Sequence, residues 1–164
     1  VNAPNTQLTT QATLKKIKAR NRQALLNPES IDNRHTKNSY LLNLPALTAA
    51  DCMLFQQKGV RTQELNKLRK GDFNCQGSLD LHGCIVEESV EIIHDFIKQA
   101  SQQQLRYVRL IHGKGYNSND TFPALKNCVN RELRSLKNVL AFCSAPEKDG
   151  GVGAVNVFLK APGK

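Results

Sequence analysis

Residues 78–112 read SLDLHGCIVEESVEIIHDFIKQASQQQLRYVRLIH, and the spacing of apolar residues in this stretch decides the fold. Over residues 78–82, Leu79 and Leu81 alternate with Asp80 and His82, the period of two of a strand with one buried face. From residue 86 to about residue 103 the period lengthens, and Val86, Val90, Ile93 and Ile97 share one helical stripe. Residues 105–112 return to strand. A strand, a helix and a strand in succession imply parallel neighbours joined by a right-handed crossover.

Working towards the carboxyl end, Thr121 caps and Pro123 opens a predicted helix through about residue 136, with Leu125, Cys128, Val129 and Leu133 inward. Residues 139–143 and 154–160 read as two closing strands. The connection over 144–153 is short enough to return the last strand antiparallel. The order β-α-β-α-β-β predicts an α/β chain of the α+β two-layer kind, a four-stranded mixed sheet with both helices on one face. Ligands of such sheets sit in the crevice at the carboxyl ends of the parallel strands.

Towards the amino end the pattern weakens. Residues 51–77 predict a short helix, with Val60, Leu65 and Leu68 on one stripe, Arg61, Lys67, Arg69 and Lys70 around it, and Gly71 as its stop. Residues 1–50 are rich in Asn, Gln, Thr and Lys and read as a basic, partly disordered extension, within which 12–26 has the spacing of a basic helix. The expected organisation is an extension over 1–50, a helical lead-in over 51–77 and a domain over 78–164.

The formal charge is +9, and residues 1–74 carry 12 Lys/Arg against 5 Asp/Glu. A basic half favours polyanions through counterion release, with nucleic acid preferred over an acidic membrane. Aromatic residues make up 5% of the chain and Trp is absent, so phosphate contact is expected ahead of base stacking. Five cysteines without a C-x-x-C pair fit neither a zinc ribbon nor a disulfide framework, and point to a reducing, cytoplasmic setting. No apolar run approaches the ~18 residues needed to span a bilayer, no cleavable leader is legible, and no membrane partner is expected. The chain opens on Val1 without Met, as expected of a trimmed amino end.

Three polar constellations fall at the predicted crevice. In Leu79-Asp80-Leu81-His82-Gly83 the strand period puts Asp80 and His82 on one face, where a carboxylate can fix an imidazole for acid–base work near neutral pH. The same pair also serves as a structural close to a strand. In His112-Gly113-Lys114-Gly115, glycines permit close approach of a ligand and Lys114 adds a mobile charge, the makings of a phosphate cradle or of a plain glycine turn. The spacing is not that of a P-loop. Gly150-Gly151-Val152-Gly153-Ala154 is first of all a hairpin turn, and the amides of Gly151 and Gly153 are candidates to face an anion. Val108 and Leu110 share parity with His112, which therefore starts on the helix-covered side.

Together, in this order, the three motifs resemble the hallmarks of the Smr (small MutS-related) domain: an L-D-L-H-G strand, an H-G-x-G loop and a closing G-G-x-G-A strand. The resemblance spans residues 79–160, and Leu68-Arg69-Lys70-Gly71-Asp72-Phe73 is similar to the lead-in of small stand-alone bacterial members. It implies a fold like the carboxy-terminal domain of a bacterial translation initiation factor. It also implies nicking or cleavage of DNA or RNA, with RNA at stalled ribosomes a substrate for some stand-alone members. Carried across by motif, Asp80 and His82 are catalytic, and His112, Gly113, Lys114 and Gly115 hold the phosphate.

The expected function is therefore endonucleolytic, with RNA preferred over DNA. His82 and His112 would divide proton transfer, and no cofactor is expected, although a divalent metal at Asp80 is left open. The alternative is a non-catalytic module that binds nucleic acid or a ribosome, and a third reading is a protein-interaction domain. Oligomeric state is not legible.

Overall fold

The computed structural model describes residues 6–7, 43–114 and 121–161. Its central unit is β3 (Gly77–Asp80), α2 (Val86–Gln102) and β4 (Tyr107–Ile111), with β3 and β4 parallel and Leu79 opposite Leu110. Helix α3 (Ala124–Ser135) leads to β5 (Val139–Ser144), and two 3-10 turns, Glu147–Asp149 and Gly151–Gly153, lead into β6 (Ala154–Leu159). Strand β6 lies between β4 and β5, antiparallel to both. All six of its residues are buried, as befits a central strand covered on both faces.

Helices α2 and α3 cover one face of the sheet. Ile92, Ile93, Phe96 and Ile97 of α2 and Cys128, Val129 and Leu133 of α3 pack there on Leu79, Leu81, Val108, Leu110, Val155 and Val157. Each of the large side chains in this set is at most 3% exposed, so truncating one to Ala would cost about 2–5 kcal/mol. Helix α3 starts one residue later than the predicted Thr121–Pro123 signal. Pro123, at ψ 121°, occupies the cap position itself, and the Asn127 side-chain amide donates back to its carbonyl at 2.8 Å.

Among the described residues the sheet has six strands where four are predicted, in the order β1 (Thr6–Gln7), β3, β4, β6, β5, β2 (Leu54–Gln56), and the class is unchanged. The additions are edge strands too short to show a period, β1 (Thr6–Gln7) beside β3 and β2 (Leu54–Gln56) beside β5. The opposite face is also covered in part. Helix α1 (Thr62–Lys70) buries Leu65 and Leu68 against Ala141, Cys143 and Phe158, with Phe73 and Tyr107 packed alongside. An irregularity between Val139 and Ala141 makes this second core possible: it sends Val139 and Phe142 to one face and Ala141 and Cys143 to the other.

The segment before β2 is tied across α3. Lys126, 2% exposed, turns its ammonium onto the carbonyls of Thr48, Ala49 and Asp51, while the Asn127 amide engages both backbone groups of Leu47. Among the described residues no helix is long and apolar enough to cross a membrane.

Candidate nuclease site

Strand β3 ends at Asp80, and its last ladder bond, Leu81 N–H to the Ile111 carbonyl at 2.7 Å, holds the next residues level with the end of β4. His82 turns back onto Asp80: its backbone N–H donates to Asp80 Oδ1 at 3.0 Å, and its Nδ1 lies 2.7 Å from the same oxygen. An ionised carboxylate only accepts, so this bond places the proton on Nδ1 and leaves Nε2 as the acceptor. The imidazole is 75% exposed, so the pair stands at the mouth of the crevice.

The other two motifs are clamped together beside it. The N–H groups of His112 and Gly113 both donate to the Gly153 carbonyl at 3.0 Å, with Gly113 at φ 90°, a conformation L side chains rarely adopt. A Cβ on Gly153 would stand 2.8 Å from Lys114 Cγ and 3.1 Å from the Lys114 amide nitrogen. Glycine is required at 153 for this approach. A Cβ on Gly113 would lie 3.9 Å from His82 Cβ, so the three sequence motifs meet at one point. The Lys114 ammonium faces Glu147 at 3.8 Å.

The backbone donors are largely engaged within the protein. Gly151 N–H donates to the Pro146 carbonyl and Gly153 N–H to that of Gly150, as Gly113 N–H does to Gly153. In this arrangement the amides of Gly113, Gly151 and Gly153 are engaged by backbone carbonyls, and the charge carried by the His112–Lys114 loop is that of Lys114, which faces Glu147. Gly115 lies outside the described residues.

His112 is placed apart from His82. Its side chain is on the helix-covered side, 5% exposed, with Nδ1–H donating to the Gly113 carbonyl at 2.8 Å and Nε2 without a hydrogen-bond partner among the described residues. Burial lowers its pKa from 6.5 to about 4; the bond to Gly113 opposes the shift and the Lys126 charge adds to it. At neutral pH this ring is uncharged. The expected division of proton transfer between His82 and His112 therefore meets a physical obstacle, since a neutral imidazole with Nδ1–H engaged has no proton to give at Nε2.

His94, Cys128 and Cys143 serve structure. His94 bridges α2 to α3 through Glu132 at 2.8 Å. Burial raises the thiols of Cys128 and Cys143 to about 11 each, which keeps them protonated at neutral pH. Among the described residues no three His, Cys, Asp or Glu side chains gather as metal ligands.

The family model for the Smr domain matches residues 79–160, the span that carries all three motifs. The chain belongs to the Smr family. This Smr chain is 33% identical over 134 residues to the probable DNA endonuclease SmrA of Escherichia coli K12, covering 81% of this chain and 72% of the relative. It is 29% identical to the ribosome rescue factor SmrB of Tolumonas auensis, covering 71% and 63%. The solved structure of YdaL, a stand-alone small MutS-related protein from Escherichia coli, superposes with a TM-score of 0.64 at 31% identity, over 78% of this chain and 95% of that one. These matches run beyond the 79–160 span.

Proposed function

We propose that this Smr chain is an endonuclease that cuts a nucleic-acid strand at the crevice, with Asp80 and His82 as the reacting pair and RNA as the preferred substrate. The observation that carries the reading is the exposed Asp80–His82 bond beside a lysine-bearing glycine loop. The relatives named as endonucleases support the activity.

In RNA the strand brings its own nucleophile. His82 Nε2 takes the proton of a 2′-hydroxyl, the 2′-oxygen attacks the adjacent phosphorus, and the bond to the 5′-oxygen breaks, that oxygen gaining a proton from water at the open mouth. The products are a 2′,3′-cyclic phosphate and a 5′-hydroxyl. Asp80 orients the ring and stabilises its protonated form, and Lys114 offsets charge on the non-bridging oxygens. Neutral His112 holds the Gly113 carbonyl and so the loop. Among the described residues Asp80 is bonded to His82, Glu147 faces Lys114, and no three metal-ligating side chains gather, so these residues match this route better than one in which several carboxylates hold two metals. The chain would act in the cytoplasm, on RNA or at a ribosome.

His82→Ala should lower the cleavage rate by about 10²–10⁴-fold while strand affinity holds, and Asp80→Asn should lose less. Unchanged cleavage in His82→Ala sinks the proposal. The second reading, a module that binds nucleic acid or a ribosome without cutting, is favoured by one feature, the burial of His112 as a neutral ring, which leaves His82 as the exposed imidazole at the crevice among the described residues. Wild-type protein that binds RNA without cutting it would establish that reading.

A further inference from the structure

The Glu147–Asp149 turn sets a carboxylate against the loop that carries Lys114. Its backbone is fixed: the N–H groups of Asp149 and Gly151 donate to the Pro146 carbonyl at 2.9 and 3.0 Å, and the Asp149 carboxylate, 3.4 Å from the Arg109 guanidinium, ties the turn to β4. The Glu147 side chain, 83% exposed, folds back over buried Gly151, where a Cβ would stand 2.9 Å from Glu147 Oε1. The Lys114 stem crosses buried Gly153 in the same way, with Cγ 2.8 Å from where a Cβ would be. The two glycines thus form a bed on which ammonium and carboxylate meet at 3.8 Å.

This pair is suited to exchange. At 3.8 Å the contact is longer than a hydrogen bond, and with the carboxylate in water it is worth little. A phosphate oxygen within hydrogen-bond distance of the same ammonium is the stronger partner. Any phosphate seated there lies within the ~8–10 Å Debye length of Glu147, so the carboxylate opposes the anion that Lys114 attracts. The reacting pair is close by, because a Cβ on Gly113, the residue before Lys114, would lie 3.9 Å from His82 Cβ.

We propose that Glu147 is a positioning residue, the resting partner of Lys114 and the strand's competitor for it. Its carboxylate holds the ammonium beside the crevice while the site is empty and yields it to a phosphate next to the bond at His82. The identity of that phosphate rests on the proposed function. Glu147 thereby sets how tightly the strand is held and how readily the cut product leaves, without touching the reacting atoms.

The test measures the affinity of the full chain for a labelled 12-nucleotide 2′-O-methyl RNA, which has no 2′-hydroxyl to attack and stays uncut, and kcat and KM on the matching RNA. Glu147→Gln, which keeps the shape and removes the charge, should bind about two- to five-fold tighter at low salt, the range of an exposed ion pair. KM should fall with no rise in kcat. The salt slope should steepen by up to about 0.7, and the gain should fade in 1 M salt, where the Debye length is ~3 Å. Loss of a merely structural contact weakens binding, so the gain has the opposite sign. In Lys114→Ala the same change should add nothing. Asp95→Asn, an equal change of net charge about two and a half turns into α2, should bind as wild type does. Glu147→Gln that binds no tighter than wild type, a gain that persists without Lys114, or an equal gain from Asp95→Asn overturns the proposal and leaves the nuclease reading standing. The binding arms do not depend on cutting, so a wild-type chain that binds without cleaving counts against the nuclease reading alone. One that binds no strand at low salt overturns both.

Discussion

Acidification from pH 7 to pH 4 should destabilise wild type by about 3 kcal/mol more than it destabilises His112→Gln. His112 titrates near 6.5 in the unfolded chain and near 4 in the native one, because its ring is 5% exposed and loses solvation. The native value is depressed, so between these values the unfolded state binds the extra proton and stability falls with falling pH. The gap of about 2.5 units, at 1.36 kcal/mol each, amounts to roughly 3.4 kcal/mol once both values are passed and about 3 at pH 4. The loss begins just below pH 7 and levels off below pH 4. Urea midpoints for both proteins across this range measure it, and the carboxylates common to both cancel in the difference. Parallel profiles for the two would refute the neutral, buried assignment of His112, and with it the reason for taking that ring out of proton transfer.

Three further outcomes are expected. Gly153→Ala should cost about 1–3 kcal/mol through overpacking and reduce cleavage by pushing Lys114 off the crevice; a native-like melt with full activity contradicts the close approach. Ile85 holds the cap position of α2 at φ −80° and ψ 154° with no side-chain hydrogen bond and is 55% exposed, so Ile85→Thr should gain about 0.5–1 kcal/mol in urea unfolding, and a loss would count against the cap geometry. Residues 1–42 carry 7 Lys/Arg against 2 Asp/Glu, so their removal should flatten the salt dependence of nucleic-acid binding, and an unchanged slope would deny the extension a role.

The parallel pair at the heart of the fold was legible because Leu79 and Leu81, like Val108 and Leu110, have one buried face and therefore alternate. Parity also placed His112 on the helix side, where it is found buried. Asp80 and His82 were legible as neighbours for the same reason, though the 2.7 Å bond between them depends on the turn at Gly83. What escaped was set by tertiary contacts. Leu65 and Leu68 form a stripe that any short helix could carry, and only the bulge in β5, which sends Ala141 and Cys143 to the second face, gives that stripe something to cover. Lys126 sits in a helix as a lysine usually does at a surface; its burial comes from three carbonyls some 75 to 78 residues earlier. The engaged amides of Gly151 and Gly153 follow from two consecutive 3-10 turns that glycine content alone does not specify. Phe73, Tyr107 and Phe158 are too far apart in the chain to read as one stack.

The central claim is that His82, oriented by Asp80, turns the strand's own 2′-hydroxyl into the nucleophile. End-group analysis of RNA cut by the wild-type chain in the presence of a chelator tests it most directly. A 2′,3′-cyclic phosphate with a 5′-hydroxyl, formed at an undiminished rate and lost in His82→Ala, is the predicted result; a 5′-phosphate, or cleavage that stops with chelator and returns with Mg²⁺, contradicts it.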